Sequence, residues 1–130
     1  PGTGDIQLSL TQKVPVSGAI GVSTPQNVAL TDVKKALDMW ARVSVPILGV
    51  IENMSYLRQD NGERTQLFPK GQLDQYLKER GITKLGEIPF HPSVGVGGEA
   101  GIPVVESSPD SPEAHVFMQI AEKVRQQLPI

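Results

Sequence analysis

The stretch Gly18–Ile51, GAIGVSTPQNVALTDVKKALDMWARVSVPILGVI, changes its hydrophobic period twice. Gly18-Ala19-Ile20-Gly21-Val22-Ser23 is short, apolar and β-compatible, and reads as a buried strand. Thr24-Pro25-Gln26 then has the form of a helix start. A threonine hydroxyl can cap, and proline suits the first helical position because no N–H is needed there. Behind it Ala29, Val33, Leu37 and Trp40 recur at helical spacing, with Asp32, Lys35, Asp38 and Arg42 mostly on the other side. Val45–Ile51 is apolar throughout, as strands buried on both faces of a parallel sheet are. This strand, helix, strand succession is a βαβ unit, and its crossover is expected to be right-handed.

The pattern continues downstream. The polar run Arg58–Thr65 predicts a loop turning at Asp60-Asn61-Gly62. Gln72–Arg80 predicts a short helix with Leu73, Tyr76 and Leu77 inward and Gly81 as its C-cap. Lys84–Pro89 predicts a third strand ended by proline. His91–Gly101 is glycine-rich and expected to be irregular or weakly helical, and Ile102–Val105 to be a short extended piece. Ser111-Pro112-Glu113 opens a last helix whose apolar stripe is Phe117, Ile120, Ala121, Val124 and Leu128, with Pro129 as its stop. Ile6, Leu8 and Leu10 alternate as in a strand, yet Asp5 could equally cap a helix beginning there. Strands alternating with helices give an α/β class with a mostly parallel sheet, and no linker divides residues 1–130 into two domains. Three clear strands make a thin sheet, so an open strand edge is expected. Pro1-Gly2-Thr3-Gly4-Asp5 itself reads as an interior loop rather than an N-terminal tail, and the chain is expected to be a fragment.

Composition narrows the function classes. The chain has 130 residues, enough for one domain with a core. With three Phe, one Trp and two Tyr, that core must be mainly aliphatic. A formal charge of -2 lacks the clustered Lys and Arg of a nucleic-acid footprint. No apolar run approaches the ~20 residues that span a bilayer, so no membrane association is expected. Cysteine is absent, which removes disulfides, thiolate metal sites and cysteine nucleophiles. This fits a reducing compartment, and the cytoplasm is the expected location.

In open α/β sheets ligands bind beyond the carboxyl ends of the strands. The segments there are Ser23–Gln26, Glu52–Ser55 and Pro89–Pro92. Asn53 has two readings. Its amide offers an acceptor and two donors, the complement of an adenine edge, or it simply bonds a turn backbone. Gly2 and Gly4 would let backbone N–H groups approach a phosphate closely, or mark an ordinary turn. There is no Gly-x-x-x-x-Gly-Lys-Ser/Thr loop, so a triphosphate cannot be held by the usual P-loop within this chain. Gly95–Glu99 does not run from a buried strand into a helix and is not read as a phosphate loop. His91 and His115 fall in different elements without ligand spacing, which argues against a metal site. Asp32, Asp38, Asp74, Glu79 and Glu122 read as solvated helix faces. No Ser/His/Asp set is linked by spacing, and no catalytic residue is assigned.

Taken together, PGTGDIQLSLTQ, GAIGVSTPQNVALTDVKKALDMW, VPILGVIENMSY and LGEIPFHPSVGVGGEAGIPVV resemble, in order and spacing, the Mrp family. These are P-loop ATPases of the MinD/ParA-like class associated with iron–sulfur cluster carriage. The resemblance runs from residue 1 to the last helix. It implies the C-terminal half of a doubly wound P-loop NTPase fold, with the Walker A loop, switch I and Walker B aspartate upstream. Gly2 would be the switch II glycine that senses the γ-phosphate, and Thr3, Gly4 and Asp5 would complete that loop. The segment after it would then be helical. Asn53 would contact adenine, Pro89, Phe90 and His91 would line the base pocket largely through backbone, and Gln26 would lie near the nucleotide face of a dimer. ATP and Mg would bind the full-length protein as a homodimer, and iron–sulfur client proteins would be its partners.

One departure bears on the cargo. Many family members carry Cys-x-x-Cys shortly after the NMSY motif, whereas here Leu57–Arg64 is LRQDNGER. An iron–sulfur cluster needs thiolates or comparable soft ligands, so the sequence counts against cluster binding at that site. Two functions follow as expectations. One is part of an ATPase whose dimer switch serves iron–sulfur cluster assembly or transfer, with the 130-residue chain inactive by itself. The other is a cysteine-free, nucleotide-responsive scaffold or regulator.

Overall fold

The computed structural model describes residues 4–129. In chain order the elements are α1 (Asp5–Lys13), β1 (Ala19–Ser23), α2 (Asn27–Arg42), β2 (Ile47–Glu52), β3 (Leu57–Arg58) and β4 (Arg64–Thr65). They continue with α3 (Leu73–Arg80), β5 (Lys84–Glu87), α4 (Pro92–Ala100), α5 (Val104–Ser107) and α6 (Pro112–Gln127). The βαβ unit read from the sequence is present, with β1 parallel to β2 and β5 added parallel on the other side in the order β1-β2-β5.

β2 is central because its alternate residues serve two cores. Val50 is fully buried with Leu30, Val33 and Leu37 of α2 and Leu73 and Leu77 of α3. Ile51 packs on the opposite face with Leu85, Ile88 and Ile20 against Ile120, Val116, Phe117 and Val124 of α6. The result is a three-layer α/β/α sandwich. Gly49 permits the close approach of β2 to β5. Its φ is 153°, and a Cβ there would stand 2.6 Å from the Thr83 carbonyl oxygen.

The structure corrects several local expectations. Thr24 does not cap α2. The helix begins at Asn27 after Gln26, and Thr24 Oγ1 donates to Gln26 Oε1 at 3.3 Å. Pro25 therefore precedes the helix rather than opening it, and its carbonyl instead accepts from Gly71 N at 3.1 Å. The segment Ile6–Leu10 is helix, with Gly4 as N-cap, and no residue of α1 is buried. The polar run after Arg58 is not only loop. Leu57 pairs with Thr65 and Arg58 with Arg64 around the expected turn, where Gly62 N donates to the Gln59 carbonyl at 2.9 Å.

The segment expected to be irregular is a nine-residue helix, α4. His91 caps it and Pro92 opens it, which offsets the low helix propensity of its glycines. Gly97 is required for packing, since a Cβ would lie 2.6 Å from the Ile102 carbonyl oxygen. Val104 and Val105 are helical, not extended. The Pro103 carbonyl accepts from Glu106 N at 2.9 Å and Ser107 N at 3.0 Å, closing the single turn of α5. In α6 Ser111 caps as read, but Ala121 is exposed rather than part of the buried stripe.

Leu37 is 0% exposed and faces the α3 layer. Leu37→Ala should lower unfolding free energy by about 3–4 kcal/mol, from lost transfer plus residual cavity. Chemical denaturation of the variant beside the parent checks this.

Candidate functional site

The carboxyl ends of the three parallel strands bring separate sequence segments to one edge. Backbone hydrogen bonds tie them together. Asn53 N donates to the Ser23 carbonyl at 2.7 Å, Ile88 N to the Glu52 carbonyl at 2.8 Å and Ser55 N to the Ile88 carbonyl at 3.0 Å. Phe90 N donates to the Tyr56 carbonyl at 2.7 Å, beside a parallel bridge between Leu57 and Phe90. The segments after β1, β2 and β5 are thus one continuous rim. At the β1 side, a cleft of about 510 Å³ is lined by Gln7 of α1, Ser23, Thr24, Asp32, Trp40 and Asn53, among others.

The predicted site residues fall as follows. Asn53 is half-buried, and among the described residues its side-chain amide has no hydrogen-bond partner. Gln26 is the N-terminal flank of α2, its amide oxygen occupied by Thr24. Pro89 is buried, and Phe90 is 45% exposed at the rim. Gly4 caps α1 through its carbonyl, which accepts from Leu8 N at 3.0 Å, and Asp5 is the first residue of that helix. Gly2 and Thr3 lie outside the described residues. The structure therefore joins Asn53 with Pro89–His91 through the backbone, and Gln7 brings α1 to the same cleft.

The His91 imidazole has a structural task of its own. Nδ1 accepts from Ser93 N at 3.2 Å to cap α4. Acceptance at Nδ1 places the proton of the neutral ring on Nε2, which lies 3.5 Å from Asp60 Oδ1 at the hairpin turn.

Two charged clusters were not foreseen. Glu113, fully buried, receives both Nε and Nη2 of Arg58, the latter at 2.9 Å from Oε1. The Arg58 guanidinium, opposed by burial, holds the Glu113 carboxyl below its ordinary range. The pair fastens the β3–β4 hairpin to the start of α6, where the helix dipole also favours a carboxylate. Beneath the Asn53 turn, Ser55 Oγ contacts both Glu52 and, at 2.8 Å, Glu87. Lys84 Nζ lies 2.8 Å from Asp74, 3.2 Å from Glu87 and 3.4 Å from Glu52. Asp74 is held low by its bond from Lys84. Burial pushes Glu87 up, but Ser55 and Lys84 outweigh it and bring the group below its usual value. Glu52 carries one legible signal, a carboxylate ending an apolar strand. The pairing of Arg58 with Glu113 and of Lys84 with Glu52 carries none, since those partners lie far apart along the chain.

A parallel sheet between helix layers, with its loops gathered at the carboxyl edge, is an open α/β fold of the kind P-loop NTPases share with other doubly wound proteins. Solved structures agree. A nucleotide-binding protein of Archaeoglobus fulgidus, solved in complex with ADP, matches with TM-score 0.71 and 37% identity over 85% of this chain and 45% of that one. The cell division ATPase MinD of Pyrococcus furiosus matches with TM-score 0.66 and 27% identity over 85% of this chain and 43% of that one. Within that class, the chain belongs to the NUBPL iron-transfer P-loop NTPase family of ParA type, whose model matches residues 1–125.

The curated relatives bear descriptions of the same kind. An iron–sulfur cluster carrier protein of Aquifex aeolicus is 44% identical over 97% of this chain. The iron–sulfur cluster transfer protein NUBPL of Dictyostelium discoideum is 41% identical over 100% of it. The chain spans 35% and 41% of the lengths of these two relatives. Among the described residues no helix is long and apolar enough to cross a membrane.

The Arg58–Glu113 pair should give folding a specific acid dependence. Because the folded carboxyl is depressed below its usual 4.5, its stabilisation is fully present above the unfolded value and lost as pH falls through the folded one. At pH 7, Glu113→Gln should cost about 2–3 kcal/mol by leaving Arg58 without its anion. The gap between variant and parent should begin to narrow as pH falls below the ordinary 4.5 and close only once pH is below the lowered folded value. Denaturant titrations across pH check both statements.

Proposed function

We propose that this chain is the C-terminal portion of an ATP-dependent iron–sulfur cluster carrier, supplying switch II and the base-recognition rim. The carrying observation is the Asn53 amide, unpartnered among the described residues, on a backbone rim shared with Pro89–Phe90. A purine base needs one edge partner and one flat apolar contact, and this rim carries an amide and an exposed aromatic. The site residues fit the base end of a nucleotide. The phosphate end requires a glycine-rich loop with lysine, which would come from outside these residues. On this reading Gly2, Thr3, Gly4 and Asp5 form the switch II loop. Ordering of that loop by the γ-phosphate would be passed to α1, whose Gln7 reaches the same cleft as Asn53. Bound ATP with Mg would supply the free energy of the switch. Gln26 would face the nucleotide side of a homodimer, and the location would be cytoplasmic.

The iron–sulfur cluster is cargo, not a resident group. This chain offers it no thiolate, and the hairpin Leu57–Thr65 is held by Arg58–Glu113 instead. Ligands would therefore come from elsewhere in the full-length protein, with cluster-accepting proteins as clients. The same two facts favour a second reading, a nucleotide-responsive scaffold without cargo. Reconstitution of the full-length protein with iron and sulfide separates them. A cluster absorption band whose transfer to an acceptor depends on ATP supports the carrier, and no band supports the scaffold.

In the full-length protein, Asn53→Ala should weaken ATP binding about tenfold, the cost of one base hydrogen bond near 1.4 kcal/mol. It should also erase discrimination between adenine and guanine nucleotides. Calorimetric titration with both nucleotides measures this, and unchanged affinities would remove Asn53 from the site. The 130-residue chain alone should show no ATP turnover, and turnover by contaminant-free chain would contradict the division of labour.

A further inference from the structure

A second opening lies on the α6 side of the sheet and shares no lining residue with the Asn53 cleft. It is a groove of about 330 Å³ beside β5, the last strand of the sheet. That volume falls at the small end of ligand pockets, which run from about 300 Å³ upward. Its floor is apolar. Leu85 and Ile120 are buried there, with Val116 packed against them. Tyr56 marks the end nearest the carboxyl edge, where its carbonyl accepts from Phe90 N at 2.7 Å. Arg64 lies over the Tyr56 ring at 4.4 Å and so belongs to that end. Helix α6 starts beside the same edge, where Glu113 meets Arg58, and runs away from it past Val116 and Ile120. Lys123 stands about 10 Å beyond Val116 along that helix. Its Nζ donates to the Leu85 carbonyl at 3.2 Å, at the far end of the groove.

Both cations keep their charge available. Among the described residues Arg64 has only the neutral Tyr56 ring as a charge partner, and Lys123 only the neutral Leu85 carbonyl. A guanidinium has five N–H donors and an ammonium three, so most of this donor capacity faces the groove unused. The other charges lining the groove are already matched to each other. Glu87 takes Ser55 Oγ at 2.8 Å and Lys84 Nζ at 3.2 Å. Lys84 is divided among Glu87, Asp74 and Glu52. The concavity therefore presents two uncommitted positive charges, one at each end, with an apolar floor between them. Low-dielectric walls around such a pair concentrate its field on whatever enters.

We infer that this groove binds a small dicarboxylate. One carboxylate meets the Arg64 guanidinium at the rim end, the other meets Lys123, and the methylene spacer lies over Val116 and Ile120. The arginine fork matches a carboxylate with two parallel N–H donors, and the lysine supplies a point charge that its flexible stem can aim. A monocarboxylate would leave one cation unmatched. A polyphosphate would set charged oxygens against the apolar floor, which cannot solvate them. Occupation would tie the β3–β4 hairpin to α6 a second time, beside the Arg58–Glu113 pair. The inference is independent of the nucleotide reading above, since the two openings have no residue in common.

The test is an NMR titration of ¹⁵N-labelled full-length protein with succinate at constant ionic strength. Saturable shifts should gather at Tyr56, Arg64, Gln119 and Lys123, which all line the groove. Arg64→Gln and Lys123→Gln should each weaken binding about tenfold, the loss of one charge-assisted contact. Both residues are exposed, so the variants should melt with the parent protein. Lys78→Gln, which removes an exposed charge of α3 away from the groove, should leave succinate affinity unchanged. Acetate, with a single carboxylate, should bind about tenfold more weakly than succinate. No saturable shifts at these residues, or affinity untouched by both groove variants, would overturn the site. An equal loss in Lys78→Gln would reduce it to general charge attraction and overturn it too. Acetate binding as tightly as succinate would overturn the dicarboxylate assignment.

Discussion

Everything in this structure hangs on β2 being paired on both sides and buried on both faces. Its neighbours β1 and β5 run parallel to it, so their carboxyl ends must emerge at the same edge. Val50 and Ile51 point in opposite directions because side chains alternate along a strand, and each anchors a different helix layer. Parallel pairing also obliges the chain to return across the sheet between strands. That return places α2 and α3 over one face, while α6 covers the other.

From that constraint the site follows as a consequence. Three loops that leave one edge must share limited space, and backbone hydrogen bonds among Ser23, Asn53, Ser55, Tyr56, Ile88 and Phe90 knit them into a single rim. The rim is stiffened from below by polar groups rather than by apolar packing. Lys84 gathers three carboxylates on one side, and Arg58 closes on Glu113 on the other. Buried charges add little net stability compared with apolar packing, but they tolerate only one arrangement. That suits loops whose side chains must be held in a given direction.

The hairpin after β2 is held by charge. Its arginine turns inward to a buried glutamate and its turn aspartate approaches His91. The imidazole is in turn occupied in capping α4, so the hairpin, the rim and that helix share a common support.

The sequence by itself determined the βαβ unit, the third strand, the last helix with its Ser111 cap and the edge at which function belongs. Those features follow from hydrophobic period and cap chemistry, which are local. The family could also be read there, because its motifs are contiguous strings. Local pattern failed where distant chain supplied the decisive contact. Thr24 looks like a cap, but Pro25 is drawn to Gly71 and the helix starts later. The glycines of α4 argue against helix until His91, Pro92 and the close passage of Ile102 are in place. Only the tertiary structure decided that Arg58 meets Glu113, that Lys84 meets Glu52 and Asp74, and that the Asn53 amide has no partner among the described residues. These are encounters between charges or amides far apart in the chain, and no periodicity in a sequence records them.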